Sequence, residues 1–313
     1  MRTVFVSHND LGLACLEELD RAGADLQAVL TRPELDRIAD QTDFAGFAAE
    51  RDVDLHRVES LNTDEWVDRL TDYDPDLLFV VGWSRLVEAR ILDIPSVAAF
   101  GMHPAPLPRG RGRAPIAWSL IKGLDETALT MFHLVEAADA GDIAGQVSIP
   151  IDERDDAASL YEKVVDAGRT LVREVYPRLA AGEVPRTPQD EDEATWWPRR
   201  RPEHGRIDWT KTPREIYDWI RGQSHPYPGA FSFLDGQRVT IWAANPPSDE
   251  PAFVRPGTIR YVDGDVLGVG AWEGVVELTR IEVGESERPA SALVTECGFD
   301  VGDRFEHSLS SQA

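Results

Sequence analysis

The chain of 313 residues is long enough for two domains, because single hydrophobic cores stop growing near about 250 residues. Its hydrophobic fraction of 42% is ordinary for a globular protein, and no apolar run approaches the ~18 residues that a membrane-spanning helix requires. The formal net charge of −24 at pH 7 repels phosphate backbones unless a local basic patch overrides it. We therefore expect a two-domain protein with no membrane association and no general affinity for nucleic acid.

The charged residues and the cysteines indicate the compartment. Lys122, Lys163 and Lys211 are the only lysines, so arginine carries nearly all the positive charge of an acidic surface. This composition is typical of proteins from salt-loving organisms; an acidic mesophilic protein from a high-GC genome is the alternative. Cys15 and Cys297 are too few for a disulfide framework, and the N-terminus shows no signal-peptide pattern. We expect a cytoplasmic protein.

The first half of the chain alternates apolar runs with amphipathic stretches. Continuous apolar runs predict buried parallel strands at 3–6, 26–30, 77–81 and 97–100. Helical patterns fill the gaps at 11–22, 44–50 and 64–70. Strand and helix in repeated alternation predict an α/β fold with an open, mainly parallel sheet. Ligands of such sheets bind beyond the carboxyl ends of the strands, so the residues after 100 should lie at the binding edge.

A long helix and a region of irregular composition separate the two halves. Apolar residues at helical spacing predict a helix over 156–181, which closes a first domain of residues 1–182. Residues 183–203 then lose periodicity and collect four prolines, a run of acids and three consecutive arginines. This composition is typical of a linker.

The remaining residues, 204–304, predict a small antiparallel domain. One short helix is expected at 213–221. Strand pairs follow, and they are punctuated by Asp235-Gly236 and Asp263-Gly264, dipeptides that favour tight hairpins. We expect a β-barrel that ends before a polar, frayed tail.

The stretch FGMHPAPLPRGRGRAPIAW, residues 100–118, places His103 at the binding edge of the predicted sheet. Prolines at 104, 106, 108 and 115 fix φ and remove hydrogen-bond donors, and glycines at 110 and 112 let the backbone approach a bulky or planar group. Such a loop loses little ordering entropy when it binds a ligand. The alternative is a rigid surface turn with an exposed histidine.

A carboxylate farther along the chain is the predicted partner of this histidine. A β-like run over 128–135 leads to Ala138-Asp139-Ala140-Gly141-Asp142, and Asp139 can reach His103 if the run pairs with the sheet beside it. A carboxylate fixes the tautomer of an imidazole. The pair then suits acyl transfer, because it can stabilise the oxyanion formed when an amine attacks a carbonyl and can move the proton. No serine or cysteine stands in a nucleophile motif, which favours direct transfer.

Residues 103–142 resemble the signature of the 10-formyltetrahydrofolate-dependent formyltransferases, roughly N-x-H-P-S-L-L-P-x-x-R-G-x-x-P followed by D-x-G-D. The matching positions are His103, Pro104, Leu107, Pro108, Arg111, Gly112, Pro115, Asp139, Gly141 and Asp142. The stretches GRIDW (205–209) and PYPGAF (226–231) resemble the start of the family's C-terminal barrel. The resemblance covers nearly the whole chain and implies a Rossmann-like formyltransferase domain followed by an OB-like antiparallel β-barrel domain.

The resemblance implies that His103 and Asp139 are catalytic, and it shows one departure from the family. The family's third catalytic residue, an asparagine taken to help hold the formyl oxygen, falls on Gly101. Losing one oxyanion donor costs on the order of 10²-fold or more in rate. A backbone N–H or a water could substitute, Asn9 could reach over, or catalysis could be lost; we favour a substitute. Asn9 could instead cap the first helix.

By the same resemblance, the pterin of the folate would lie against residues 83–87, with the loop 107–112 closing over it. The cofactor-binding residues implied are Trp83, Arg85, Leu86, Val87, Leu107, Pro108, Arg111, Gly112 and Asp142. Independently, Trp83 and Arg85 at the end of a strand could flank a flat ring by stacking and hydrogen bonding. Packing at the strand end is the alternative. We expect 10-formyltetrahydrofolate as the formyl donor and no metal ion.

The resemblance leaves the acceptor amine open between two classes. Members that formylate initiator methionyl-tRNA carry a basic, glycine-rich insertion after the second strand, whereas residues 31–40 of this chain are short and net acidic. Residues 111–115 and 138–141 are closer to members that formylate amino sugars carried on nucleotides. Asn9, Arg113 and Arg200 are the expected acceptor-binding residues, with Arg200 placed to contact a diphosphate or, alternatively, solvated in the linker.

We therefore expect an N-formyltransferase that acts on a small-molecule amine, most simply a nucleotide-linked amino sugar. A methionyl-tRNA formyltransferase is the first alternative. A formyltetrahydrofolate hydrolase would use the same histidine and aspartate on water, and a catalytically silent folate-binding protein would explain Gly101 most simply. The sequence allows a homodimer.

Overall fold

The structure is a computed structural model that describes residues 1–33, 41–83, 85–248 and 252–306. The chain forms two compact units, and each combines segments that are distant in sequence. The first unit comprises Met1–Pro115, Glu126–Pro150 and Tyr161–Pro198; the second comprises Ile116–Asp125, Ile151–Leu160 and Arg199–Ala313. Most of the segment 31–40, used above against a tRNA acceptor, lies outside the described residues, and so do Ser84 and the end of the tail.

This division differs from the expected boundaries. Residues up to 198 of the expected linker belong to the first unit. Thr187 and Ile143 exchange backbone hydrogen bonds of 2.9 and 2.8 Å, and Trp196–Trp197 pairs in parallel with Arg111–Gly112. Composition indicated a linker because the side chains of this segment show no periodicity. The backbone of the segment pairs nonetheless, since backbone hydrogen bonds do not require a side-chain pattern. The chain passes to the second unit after residue 198.

Nine strands lie in the first unit. They are β1 (Arg2–Val6), β2 (Asp25–Thr31), β3 (Asp54–Arg57), β4 (Leu77–Val80), β5 (Ala98–His103), β6 (Arg111–Gly112), β7 (Glu126–His133), β8 (Ile143–Pro150) and β9 (Trp196–Trp197). Seven form one sheet in the order β3-β2-β1-β4-β5-β7-β8, and β6 pairs with β9. The first five strands of this sheet are parallel, while β7 and β8 are antiparallel. The expected mainly parallel α/β sheet is confirmed.

Six helices connect or follow these strands. They are α1 (Asp10–Arg21), α2 (Ala45–Arg51), α3 (Asp64–Tyr73), α4 (Ala89–Leu92), α5 (Pro115–Ile121) and α6 (Ala157–Ala180). The four predicted strands and the predicted helices lie within a few residues of these bounds. The elements not predicted from the sequence are β3, β6, β8, β9, α4 and α5. β3 and α4 are only four residues long, and β3 has no buried residue.

The packing of the sheet explains why the apolar runs predicted its strands. Val4, Val6, Ala28 and Leu30 are fully buried in one cluster, together with Leu78. Parallel strands covered on both faces need apolar residues at consecutive positions rather than at alternate ones. Burying each such side chain contributes about 1.5–3 kcal/mol, which makes these runs the strongest local signal in the sequence.

The pairing of β5 with β7 brings the predicted site residues to one edge. His103, the last residue of β5, lies opposite Thr130, and Phe100 lies opposite His133. The run expected to pair beside His103 does so. The loop to Asp139 begins at the end of β7, where His133 lies opposite Phe100, three residues before His103 on β5.

The second unit contains a helix packed on an antiparallel sheet. Its further elements are α7 (Pro213–Arg221), β10 (Ala230–Leu234), β11 (Gln237–Ala244), β12 (Ile259–Asp263), β13 (Val266–Ala271), β14 (Gly274–Val283), β15 (Ser286–Pro289) and α8 (Ala292–Thr295). The sheet order is β10-β11-β14-β13-β12, with β15 on β14. Both predicted hairpins are present. Bridges from Phe305 to Leu234 and from Arg304 to Thr258 connect the two edges, so the expected antiparallel domain is confirmed.

The described helices contain no stretch with the length and hydrophobicity needed to cross a lipid bilayer. The longest of them, α6, has 24 residues, and charged residues recur along it.

Candidate active site

A cavity of about 260 Å³ opens at the carboxyl ends of β4 and β5 in the first unit. Trp83, Leu86 and Val87 contribute walls from the segment that follows β4, and Met102 and His103 contribute walls from β5. This is the edge at which parallel sheets bind ligands, because neighbouring connections diverge there. The cavity therefore lies where the strand order predicts it.

His103 is buried in the cavity wall, with 7% of its surface exposed. Its Nε2 lies 2.8 Å from the carbonyl oxygen of Gly110, and its Nδ1 lies 3.8 Å from Oδ1 of Asp139. Because a carbonyl only accepts, Nε2 carries the proton in the neutral ring and Nδ1 presents a lone pair. A separation of 3.8 Å is too long for a hydrogen bond, so Nδ1 and Oδ1 can both contact a third polar atom.

Asp139 is held by the backbone of the proline-rich loop. Its Oδ2 accepts a hydrogen bond of 2.9 Å from the amide of Gly112. Gly112 has a φ of 108°, and a Cβ there would lie 2.5 Å from the carbonyl oxygen of Trp197. At Gly141, a Cβ would lie 1.8 Å from the carbonyl oxygen of His133. Both glycines are therefore required for the close approach that brings Asp139 to His103.

Gly101 lines the cavity on β5, opposite Phe132 of β7. A Cβ at this position would lie 2.8 Å from Cδ2 of Leu134 and 3.2 Å from Cζ of Phe132. The side chain of Leu134 thus fills the space that a residue at position 101 would need. The wall at this point is apolar and offers no amide group.

Asn9 contacts the first helix rather than the cavity. Its Oδ1 accepts a hydrogen bond of 3.1 Å from the amide of Gly12 and caps α1. Its amide nitrogen lies 2.3 Å from where a Cβ of Gly82 would stand. Of the two roles considered for Asn9, the helix cap is the one that the structure contains.

The expected cofactor residues divide into two groups. Those that line the cavity are Trp83, Arg85, Leu86, Val87 and Gly112. Those that do not are Leu107, Pro108, Arg111 and Asp142. The stiff loop turns the Leu107 side chain into the core, where 3% is exposed. Asp142 lies 3.6 Å from Arg186.

Arg111 is the clearest departure from the expected cofactor contacts. Its side chain is 2% exposed and donates hydrogen bonds to Glu191 and Gln189. A charge buried to this extent must be paired within the protein, so it is not available to a ligand.

The two arginines assigned to the acceptor lie in different units. Arg113 is exposed and lines the cavity beside Asp139. Arg200 belongs to the second unit, where its guanidinium lies 5.0 Å from the ring of Trp118 and 4.6 Å from that of Trp219. Burial lowers the pKa of Arg200. Arg200 is thus neither a solvated linker residue nor a residue of this cavity.

Several cavity residues were not found in the sequence analysis. Phe132 and Leu134 alternate along the run predicted as a strand, so that they share one face, and this spacing could have indicated them. Gly82 and Met102 have no such signal. Gln189, which holds the backbone at Asp139, lay in the segment interpreted as a linker.

The cavity rim has more positive than negative side chains, whereas the chain as a whole has a negative net charge. Arg85 and Arg113 are exposed lining residues, and Asp139 is the acidic one. Within the described part of the chain, no three histidine, cysteine, aspartate or glutamate side chains form a group that could hold a metal ion. The cavity combines an aromatic and aliphatic wall, an imidazole with a carboxylate, and two guanidinium groups.

The fold and this cavity define the class of protein: a mainly parallel α/β unit with a ligand-sized cavity at the carboxyl ends of its strands, and an antiparallel unit. Residues 16–176, more than half of the chain, match the family model described as Formyl transferase, and residues 200–295 match Formyl transferase, C-terminal domain. The chain belongs to the formyl transferase family.

Three solved structures show similar folds. HypX from Aquifex aeolicus in complex with tetrahydrofolic acid is 22% identical with a TM-score of 0.66, over 98% of this chain and 51% of that one. The N-formyltransferase from Helicobacter canadensis in complex with folinic acid and dTDP-3-aminofucose is 16% identical with a TM-score of 0.67, over 88% and 98%. Methionyl-tRNA formyltransferase from Clostridium thermocellum is 17% identical with a TM-score of 0.58, over 91% and 99%. The chain spans about half the length of HypX.

Proposed function

We propose that the protein is an N-formyltransferase that moves the formyl group of 10-formyltetrahydrofolate to the primary amine of a nucleotide-linked amino sugar. The observation that supports this most directly is the juxtaposition of His103 and Asp139, 3.8 Å apart in the wall of a cavity at the edge of the sheet. A formyl transfer needs a group that takes a proton from the amine and a carboxylate that stabilises the resulting cation.

The cavity fits the flat ring system of a folate. Trp83, Leu86 and Val87 offer an aromatic and aliphatic surface, and Arg85 offers donors at its margin. When bound, the folate supplies the formyl group. The similar HypX structure contains tetrahydrofolic acid, which supports the same ligand class for this cavity.

The chain's own residues account for the proton movement. The carbonyl oxygen of Gly110 holds Nε2–H of His103, so that the lone pair of Nδ1 is available to the amine that loses a proton. Asp139 then lies beside the imidazolium and stabilises its charge. The imidazolium would then return this proton to the tetrahydrofolate nitrogen that loses the formyl group. Because Gly101 has no side chain and Leu134 fills the space beside it, His103 is the polar side chain that β5 contributes to the cavity.

The rim charges favour a small anionic acceptor. Arg85 and Arg113 offer two cationic side chains to a diphosphate, and guanidinium groups bind phosphate oxygens in pairs. A tRNA would bring many phosphates against a molecule of net charge −24, whereas a nucleotide sugar brings two. The similar N-formyltransferase from Helicobacter canadensis contains dTDP-3-aminofucose.

The experiment that tests this function compares acceptors. The purified protein is mixed with 10-formyltetrahydrofolate and a dTDP-linked amino sugar, methionyl-tRNA or no acceptor, while tetrahydrofolate release and product mass are measured. We expect release and a formylated product only with the amino sugar. Turnover only with charged tRNA would identify a methionyl-tRNA formyltransferase. Release without acceptor would identify a hydrolase, and binding without turnover a silent folate-binding protein.

Two substitutions test the assigned residues. We expect His103→Ala and Asp139→Asn to lower kcat by about 10²–10⁴-fold, while tetrahydrofolate binding changes little because the wall at residues 83–87 is unchanged. His204→Ala, an exposed histidine of the second unit, is the control. Wild-type kcat in His103→Ala would contradict the assignment.

A further inference from the structure

We propose that Gln189 is a positioning residue for Asp139. Together with Arg111, it holds the backbone of residues 139–141 and so keeps the Asp139 carboxylate between His103 and the amide of Gly112. The inference rests on the proposed function, in which Asp139 assists His103.

The amide of Gln189 is fully used. Its Nε2 donates to the carbonyl oxygens of Asp139 and Gly141 over 2.9 and 2.7 Å, and its Oε1 accepts from Nε and Nη2 of Arg111 over 3.1 and 2.8 Å. These partners determine the orientation of the amide. A reversed amide would set an oxygen against two carbonyl oxygens and an NH₂ group against a guanidinium.

Arg111 anchors this amide. Its Nη1 and Nη2 donate to the two carboxylate oxygens of Glu191 over 2.9 and 2.7 Å, and its guanidinium lies 5.8 Å from the ring of Trp196. The hydrogen bonds from Arg111 lower the pKa of Glu191. A bidentate pair with one partner 2% exposed is a rigid support. Arg111 therefore holds Gln189 in place, and Gln189 holds the turn.

Asp139 requires such support because its backbone is strained. Its φ of 55° lies in the left-handed region, which residues other than glycine adopt at a cost. Its carboxylate spans two contacts, 2.9 Å to the amide of Gly112 and 3.8 Å to Nδ1 of His103. If the backbone at 139 relaxed, both distances would change. Gln189 bonds the carbonyl of this residue and that of Gly141, so it opposes the relaxation.

Gln189→Glu is the sharpest test, because it keeps the size of the side chain and its acceptors toward Arg111 but removes both donors toward the turn. We expect kcat to fall by about 10-fold, as for other residues that orient a catalytic group. We expect KM for 10-formyltetrahydrofolate to stay within about twofold, because Gln189 does not line the cavity. Gln189→Met, which lacks polar atoms, should have the same effect. Asp192→Asn, an exposed change three residues farther along the chain, is the control. Wild-type kcat in both Gln189 variants would overturn the proposal.

A double-mutant cycle separates positioning from a general loss of structure. If Gln189 acts through Asp139, Gln189→Glu should cause no further loss of kcat in an Asp139→Asn background. Equal losses in both backgrounds would show that Gln189 does not act through this carboxylate.

Hydrogen exchange of the Gly112 amide gives a readout that does not need turnover. We expect this amide to exchange faster in Gln189→Glu than in the wild type, because its acceptor on Asp139 is no longer held. Unchanged exchange would overturn the proposal. If the wild type transfers no formyl group to any acceptor but exchange is faster in the variant, the proposed function fails and the positioning of Asp139 stands.

Discussion

Glycine at position 101 and leucine at position 134 form a matched pair in the cavity wall. The side chain of Leu134 takes the space next to the Gly101 α-carbon, so any larger residue at 101 has to displace it. The family resemblance places an asparagine at this position. A side chain at position 101 and Leu134 in its present position therefore exclude each other.

A double substitution tests this pairing. Gly101→Asn alone should overpack the wall and cost about 1–3 kcal/mol of stability with no gain in kcat. Gly101→Asn with Leu134→Ala makes room for the amide near the formyl oxygen, and we expect kcat at least about 10-fold above that of Gly101→Asn, since one such donor is worth on the order of 10²-fold. Leu134→Ala alone is the control. Equal kcat values for the single and double variants would refute the pairing.

A larger residue at position 112 would meet backbone atoms of its neighbour rather than side chains. With a φ of 108° and a Cβ that would stand 2.5 Å from the carbonyl oxygen of Trp197, Gly112→Ala should destabilise the protein by about 2 kcal/mol or more in urea unfolding. Gly264→Ala is the matched control, because its φ is also positive but no atom lies within 4 Å. Similar losses for both variants would show that the contact with Trp197 is not the cause.

The segment 187–197, which includes β9, contacts three parts of the first unit. Trp196–Trp197 pairs with β6, Thr187 pairs with the start of β8, and Gln189 bonds the turn at Asp139. Each contact is made by a segment whose composition indicates a linker. The turn at Asp139 is therefore supported from a part of the chain that lies about fifty residues beyond it.

His133 at the end of β7 links this segment to the sheet and predicts a pH dependence of stability. Its Nε2 donates to the carbonyl oxygen of Pro185 over 2.9 Å, and its ring lies 4.7 Å from that of Phe100. Burial is the main cause that lowers the pKa of His133. The folded state therefore holds the neutral ring, whereas the unfolded chain is protonated below its ordinary pKa of about 6.5.

The stability that depends on neutral His133 is present above pH ~6.5 and is lost as the pH falls through the lowered pKa. We expect the free energy of unfolding of the wild type to decrease between pH 7.5 and 5 more steeply than that of His133→Gln, which can still donate to Pro185. Chemical denaturation at several pH values in this range measures the free energy of unfolding of the wild type and of the variant. His204→Gln should retain the wild-type slope, and a His133→Gln slope equal to the wild type would contradict the assignment.

The charge of the whole molecule favours stability at high salt. The chain has 56 acidic and 32 basic residues, so repulsion between carboxylates outweighs the exposed ion pairs, each worth about 0–1 kcal/mol. The Debye length falls from about 10 Å at 0.1 M salt to about 3 Å at 1 M, which screens this repulsion.

We expect Tm to rise by roughly 5 °C between 0.1 and 2 M NaCl, equal to about 2 kcal/mol for a chain of this size. Sucrose at equal osmolality is the control, because it stabilises through exclusion and leaves the charges unscreened. A Tm that stays constant or falls in NaCl would show that the ion pairs outweigh the repulsion.

The sequence by itself determined the class of fold and the two residues of the candidate pair. Continuous apolar runs mark the parallel strands, and helical spacing marks the helices, because both signals depend on local burial. His103 and Asp139 could be paired because the apolar runs of β5 and β7 predict strands that lie side by side in the sheet. The family signature in the proline-rich loop is also local, since prolines fix φ and glycines permit the positive φ that this loop requires.

Only the tertiary structure decided which of the neighbouring residues reach the cavity. Arg111 turns away to Glu191, Arg200 lies between two indole rings of the second unit, and Leu134 fills the space beside Gly101. These outcomes depend on register and on contacts between segments far apart in the chain, and such contacts leave no periodic pattern in the sequence. Local physical chemistry specifies the strands and the loop, whereas packing between distant segments specifies what each side chain faces.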